Sequence, residues 1–108
     1  MTGNGFPLDV LLEYFPTATD LPVITDEDVE FEAYGYEGSA YVYCTYATDE
    51  LAAAALDAYA DALVKAGYAE TTVWGSTTVY MSKDNSFGVL LEVYQTCMSI
   101  TLYDSMYF

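Results

Sequence analysis

Basic side chains are almost missing from this sequence. Its 108 residues include no arginine, no histidine and only two lysines, Lys65 and Lys83. A serine or cysteine nucleophile normally needs a base such as histidine to activate it, and both lysines fall in positions expected to be solvated. A zinc site would need histidines and cysteines at fitting spacings, which two cysteines 53 positions apart do not provide, and no glycine-rich phosphate loop occurs. We therefore expect a protein that is not an enzyme and that holds neither a metal nor a cofactor.

Long apolar runs and a cysteine framework are missing as well. No apolar run approaches the ~18 residues of a membrane span, and residues 1–7 lack the basic and apolar regions of a secretory signal. These absences predict a cytoplasmic protein that does not bind membranes. Cys44 and Cys97 are too few for a disulfide framework, so buried thiols are expected, while one disulfide joining two strands stays open.

Acidic and apolar residues dominate what is present. Asp and Glu number 17, which gives a formal net charge of -15, and 54% of the residues are hydrophobic and 17% aromatic. So much apolar and aromatic content excludes a disordered acidic tail and predicts one folded domain over residues 1–108. The charge attracts cationic partners and repels nucleic acids and anionic lipids. A proteome adapted to high salt would show the same acidity, and the sequence leaves that alternative open.

Two segments have the spacing of helices. Residues 6–15 carry apolar side chains at helical intervals, with a proline in the first turn and another directly after the last residue. The second segment begins at Thr48, whose hydroxyl suits an N-cap, and ends at Gly67. The exposed side of this second helix is expected to carry Glu50, Asp57 and Asp61.

Six further segments are rich in β-branched and aromatic residues and are separated by short turns. Their bounds are residues 29–36, 40–46, 70–74, 77–83, 87–94 and 97–103. The first two can pair as a hairpin, and the last four can form a meander. Together with the helices they predict an α+β fold, a single antiparallel sheet of about six strands with one long and one short helix packed on one face.

Alternation along these strands indicates which side chains face the core. The inward positions of three strands are Val29, Phe31 and Ala33, then Val89, Leu91 and Val93, then Met98, Ile100 and Leu102. The opposite side of the first strand carries Glu30, Glu32, Tyr34 and Tyr36. In residues 40–46 both alternating sets are apolar or aromatic, so the buried side of that strand is left open.

The acids do not form a recognisable catalytic or calcium motif. Seventeen carboxylates make some pair at glycosidase spacing a matter of chance. Residues 26–37 place Asp26, Asp28, Glu30 and Glu37 at ligand positions of a calcium loop, but Phe31 stands where that loop requires glycine. An acidic segment leading into a strand is the favoured interpretation.

A surface hypothesis remains. Glu30 and Glu32 form a regular row because alternate strand residues lie about 6.6 Å apart, a spacing comparable to that of nucleic-acid phosphates. Tyr41 and Tyr43, with tyrosines of the first strand, would add rigid contact area. Alternatively, the N-terminal segment covers these rings. The predicted partner-binding residues are Asp26, Asp28, Glu30, Glu32, Tyr34, Tyr36, Glu37, Glu50, Asp57 and Asp61.

In size, acidity and α+β build, the chain resembles the small acidic DNA-mimic inhibitors of phages and mobile elements, including anti-CRISPR proteins. These inhibitors share no common motif, so the resemblance assigns no residue. It implies a cytoplasmic inhibitor that occupies the nucleic-acid-binding site of a basic enzyme such as a CRISPR effector, without binding nucleic acid itself.

Two other functions stay open. A ligand- or wall-binding module cut from a larger exported bacterial protein would use its tyrosine-rich sheet face on sugars or peptides. A small acidic hydrolase would need a concave site holding a carboxylate of raised pKa. The tyrosine-rich strands and the apolar end of the sequence also leave a homodimer open.

Overall fold

The computed structural model describes residues 6–25 and 28–108. The described part contains two α-helices, six strands and two 3-10 turns. In chain order these are α1 (Leu8–Tyr14), the turn Ala18–Asp20, β1 (Glu30–Tyr36), β2 (Ser39–Thr45), α2 (Asp49–Lys65), β3 (Ala69–Val73), β4 (Thr77–Met81), β5 (Phe87–Tyr94), β6 (Cys97–Asp104) and the turn Ser105–Tyr107. The predicted α+β fold is confirmed.

The six strands form one antiparallel sheet in the order β1-β2-β6-β5-β4-β3. The predicted β1–β2 hairpin and the meander of the last four strands are both present. They are joined where β2 pairs with β6, with Val42 opposite Ile100. The last strand of the chain therefore lies in the interior of the sheet, between the hairpin and the rest of the meander.

Both helices pack on the same side of the sheet. α1 lies against β1 and β2, while α2 lies against β5 and β6. The N-cap of α2 is as predicted, since the Thr48 hydroxyl accepts a hydrogen bond of 3.1 Å from the Leu51 amide. Ala52, Tyr59 and Leu63 of α2 are buried in one core with the inward residues of β2, β5 and β6.

The structure decides the buried side of β2. Ala40, Val42 and Cys44 are each 0% exposed on the helix side, so Tyr41 and Tyr43 project from the opposite side. The inward residues predicted for β6 are confirmed. Val93 is a correction, because it is 40% exposed although it was predicted to be buried. β4 pairs with β5 only near the start of β5, so the end of β5 that contains Val93 has a neighbouring strand on one side only.

The two cysteines are free and lie on different sides of the sheet. Cys44 points into the core, whereas Cys97 pairs with Thr45 and therefore projects from the side away from the helices. Adjacent strand positions face opposite ways, so these side chains cannot approach each other as a disulfide requires. Burial raises the pKa of the Cys44 thiol to about 12.

In the folded protein we expect Cys97 to react with an aromatic disulfide reagent and Cys44 to react only in denaturant. The thiolate is the nucleophile, and burial keeps the Cys44 thiol protonated. Cys97→Ser should abolish the fast reaction, while Cys44→Ala should leave it unchanged. The measurement is the stoichiometry of released chromophore against time. Two fast equivalents in the unmodified protein would contradict the assignment of Cys44 to the core.

Burial also raises the pKa of Tyr59 and of Tyr68, so both hold their protons more tightly in the folded than in the unfolded chain. Their stabilising effect is complete below the unfolded tyrosine pKa of about 10 and declines as the pH rises above it. The free energy of unfolding should therefore fall as the pH rises above about 10, where these tyrosines ionise in the unfolded chain but not in the folded one. Urea titrations of Tyr59→Phe should show a shallower fall, whereas exposed Tyr94→Phe should match the parent; identical slopes for all three proteins would contradict this linkage.

Candidate functional site

The sheet surface that faces away from the helices, here called the open face, carries both acids and tyrosines. Cross-strand register places its side chains in rows. One row is Glu32, Tyr43, Ser99 and Glu92, and the next is Tyr34, Tyr41, Thr101 and Leu90. A third row holds Tyr36, Ser39, Tyr103 and Gly88. The open face is thus acidic towards one end of β1 and aromatic towards the other.

Four tyrosines of β1 and β2 line a shallow, open hollow of about 390 Å³, here called the tyrosine hollow; its lining is Tyr34, Tyr36, Tyr41 and Tyr43. The rings of Tyr41 and Tyr43 are nearly parallel, with centroids 6.4 Å apart and an interplanar angle of 9°. Tyr34 and Tyr36 each stand edge-on to a ring of β2 at 5.9 Å. The rings of β1 remain accessible, since Tyr34 is 45% and Tyr36 60% exposed.

The aromatic contacts continue across the sheet to residues 105–108. Tyr41 contacts Tyr103 at 6.3 Å, and Tyr103 in turn contacts Trp74 at 6.0 Å. The Trp74 indole N–H donates a 2.8 Å hydrogen bond to the Tyr107 carbonyl, and the Trp74 ring lies 5.4 Å from that of Phe108. Residues 105–108 therefore cover the aromatic end of the open face and leave the tyrosine hollow uncovered.

The absence of a side chain at Gly88 gives the Phe108 ring room to pack against β5. A Cβ at position 88 would lie 2.6 Å from the Phe108 ring and 2.9 Å from the Met81 sulfur. Only glycine lets the ring approach the strand so closely. The alternative in which the N-terminal segment covers the tyrosines is not met by α1, which packs on the helix side with Tyr14 against Gly35.

Carboxylates border the tyrosine hollow. The Tyr34 hydroxyl donates a 3.1 Å hydrogen bond to Glu32 Oε2, and that hydrogen bond, with the negative charge of the carboxylate, raises the pKa of Tyr34. Burial raises the pKa of Tyr103, and a hydrogen bond with Tyr41 and the negative charge of Glu92 raise it further. The hydroxyls of Tyr34 and Tyr103 are thus kept protonated and can donate hydrogen bonds.

The basic side chains are paired elsewhere. Lys65 contacts Asp61 at 2.9 Å on α2, and Lys83 contacts Asp20 at 3.6 Å. Within residues 6–25 and 28–108, no basic side chain lies on the open face. Its carboxylates are therefore available to cations from outside the molecule.

The predicted partner-binding residues divide between two opposite surfaces. Glu30, Glu32, Tyr34 and Tyr36 share the open face, and Asp28 and Glu37 flank β1 as exposed residues. Glu50, Asp57 and Asp61 lie on the outer side of α2. α2 and the sheet therefore separate these three acids from the open face. Asp26 falls outside the described residues. A rigid partner cannot contact both acidic surfaces at once.

Sequence reasoning missed the contribution of Trp74, Tyr107 and Phe108. Trp74 was predicted to end a strand, but it lies in the β3–β4 turn with a φ of 52°. Gly75 follows it with a φ of 89°, which fits the glycine-serine turn signal in the sequence. No local pattern shows that residues 105–108 fold back onto the sheet.

Asp84, in the turn between β4 and β5, accepts hydrogen bonds from two serines. Hydrogen bonds from Ser86 and Ser82 hold the pKa of Asp84 below its usual range, the opposite of what a general acid needs. No cluster of three or more potential metal ligands occurs within the described part of the chain. None of the helices in that part combines the length and apolarity needed to cross a membrane.

Comparisons with known protein families, with curated proteins and with solved structures find no match.

Phe108→Ala should uncover the aromatic end of the open face. Loss of the ring contacts with Trp74 and Tyr103 should lower the free energy of unfolding by about 1–3 kcal/mol, less than for a fully buried phenylalanine. The fluorescence emission of Trp74, the only tryptophan in the chain, should shift to longer wavelength.

Met106→Ala is the matched control, because Met106 lies in the same segment and is 79% exposed. Its stability should stay within about 0.5 kcal/mol of the parent. Unchanged stability together with unchanged Trp74 emission in Phe108→Ala would show that residues 105–108 do not cover the sheet in solution.

Proposed function

We propose that this chain is a non-catalytic acidic binding protein that blocks the nucleic-acid-binding site of a bacterial enzyme. It belongs in function with the DNA-mimic inhibitors of phages and mobile elements, of which anti-CRISPR proteins that act on CRISPR effectors are one kind. The protein would act in the host bacterial cytoplasm and would not bind nucleic acid itself.

The observation that carries this proposal is the open face, where acids and accessible tyrosines occur together without a basic side chain in the described residues. Glu30, Glu32 and Glu92 are exposed there. An enzyme groove lined with lysine and arginine, built to hold phosphates, offers charges complementary to these carboxylates. The net charge of -15 would speed association with such a groove at low ionic strength.

The tyrosines favour a protein surface as the target. Tyrosine supplies a large, rigid contact area with one polar atom, and it is enriched at the centres of protein interfaces. Tyr34 stands beside Glu32 and would be buried by any partner that covers that carboxylate, and Tyr36 is the next side chain along the same side of β1. The acids would then steer the encounter, and the rings would supply most of the contact area.

The tyrosine hollow also favours a second candidate, a ligand- or wall-binding module that uses the same rings on sugars or peptides. Stacked and edge-on rings around a hollow of about 390 Å³ would suit a flat or neutral ligand. In this case the surrounding acids would contribute little to affinity, and binding would depend weakly on salt.

Charge reversal separates the two acidic surfaces. Glu30→Lys with Glu32→Lys should weaken binding to a basic nucleic-acid enzyme by about tenfold or more at low salt, with a smaller difference at high salt. Asp57→Lys with Asp61→Lys, a matched pair on α2, should have a much smaller effect if the open face is the binding face. Both pairs are exposed, so the fold should be retained.

The partner for this measurement comes from bacterial lysate passed over the immobilised chain at low salt and eluted with a salt gradient. A retained enzyme counts as the target only if DNA or guide RNA displaces it. If neither charge-reversed pair affects its inhibition, the mimicry proposal fails. Retention on cell-wall glycan in place of any such enzyme would favour the second candidate.

A further inference from the structure

We propose that the tyrosine hollow with Glu32 at its rim is a site selective for arginine side chains of the partner. This inference rests on the proposed function and specifies the chemistry by which the open face would recognise a basic surface. The occupant is an arginine-bearing protein segment, and a surface rich in lysine alone would bind less tightly.

The arrangement of rings and carboxylate fits a guanidinium group. A guanidinium is planar, stacks on aromatic faces and carries five hydrogen-bond donors. Glu32 Oε2 is 3.1 Å from the Tyr34 hydroxyl, which joins a carboxylate to one wall of the hollow. An arginine that stacks on a ring there could donate to Glu32 at the same time, because its donors lie in the plane of the stacked group.

A lysine ammonium satisfies these features less well. It is compact and strongly hydrated, has no flat face to stack and points its donors in three directions. Cation–π contacts are accordingly made more often by arginine than by lysine. The parallel rings of Tyr41 and Tyr43 and the edge-on rings of β1 therefore favour arginine at equal charge.

Charge complementarity decides between an arginine segment and the other ligands that aromatic rings bind. Nucleic acid is repelled by the net charge of -15, and a neutral glycan gains nothing from it. The lysines of the chain itself are paired with Asp61 and Asp20, away from the hollow. The hollow is thus both uncovered and free of an internal cation within the described residues.

The test compares two short peptides of equal charge, with blocked ends and three arginines or three lysines between glycine spacers. Titration calorimetry at low and at physiological salt should show the arginine peptide binding about three- to tenfold more tightly. Tyr34→Leu with Tyr43→Leu removes two rings of the hollow and no formal charge. It should bring the affinities of the two peptides close to each other.

Tyr94→Leu is the matched control. Tyr94 lies on the same face, is 76% exposed and has no ring contact among the described residues, so its loss should leave the arginine preference intact. Circular dichroism checks the fold of each variant. If the double variant does not fold, Tyr36→Leu replaces it, since Tyr36 is exposed at the edge of the sheet.

The outcomes separate this inference from the proposed function. Equal affinities of the two peptides for the parent protein, or an arginine preference that survives the tyrosine substitutions, would overturn arginine selectivity. If both peptides still bind in a salt-dependent way that Glu30→Lys with Glu32→Lys weakens, the proposed function stands without it. If neither peptide binds at low salt while a soluble glycan shifts the tyrosine ring resonances, both proposals fail.

Discussion

Successive residues of a strand point to opposite sides of a sheet, and the pairing of β2 with β6 aligns the buried sides of the hairpin and the meander. At this junction Val42 and Ile100 face each other and are fully buried beneath the helices. The same register places Tyr41 next to Thr101 on the other side. A slip of one residue would exchange core and open face, so the burial of aliphatic side chains by the helices is what holds the tyrosines outward.

One half of the open face is covered by residues 105–108, and the other half is accessible. At one end residues 105–108 pack over Tyr103 and against Trp74, which remains 54% exposed, and the ring of Phe108 rests on the strand at Gly88. At the other end the tyrosine hollow and the carboxylates around Glu32 are left accessible. Residues 105–108 pack on the open face at its aromatic end, while the uncovered half has the mixture of charge and rigid aromatic area that interfaces use.

Local patterns were sufficient for the elements and most of their faces. The alternation of β1, the N-cap at Thr48 and the inward set of β6 all follow from residue type and spacing. The buried side of β2 could not be predicted, because both of its alternating sets are apolar or aromatic and only packing against Leu11, Ile100 and their neighbours decides between them. The β2–β6 pairing, the exposure of Val93 and the fold-back of Phe108 depend on contacts between distant residues.

For the candidate site, the sequence identified the acids and tyrosines. It could not show that Glu50, Asp57 and Asp61 lie on the surface opposite the open face.

The positions of the two lysines bear on how the molecule can be handled. Lys65 lies at the end of α2 and Lys83 beside Asp20 and Gly67, both in the helix layer. Coupling chemistry directed at lysine amines would therefore attach a dye, a bead or a sensor surface to the helix side of the molecule, away from the open face. The tyrosine hollow would then point outward from the support, oriented by the sequence itself without an engineered tag.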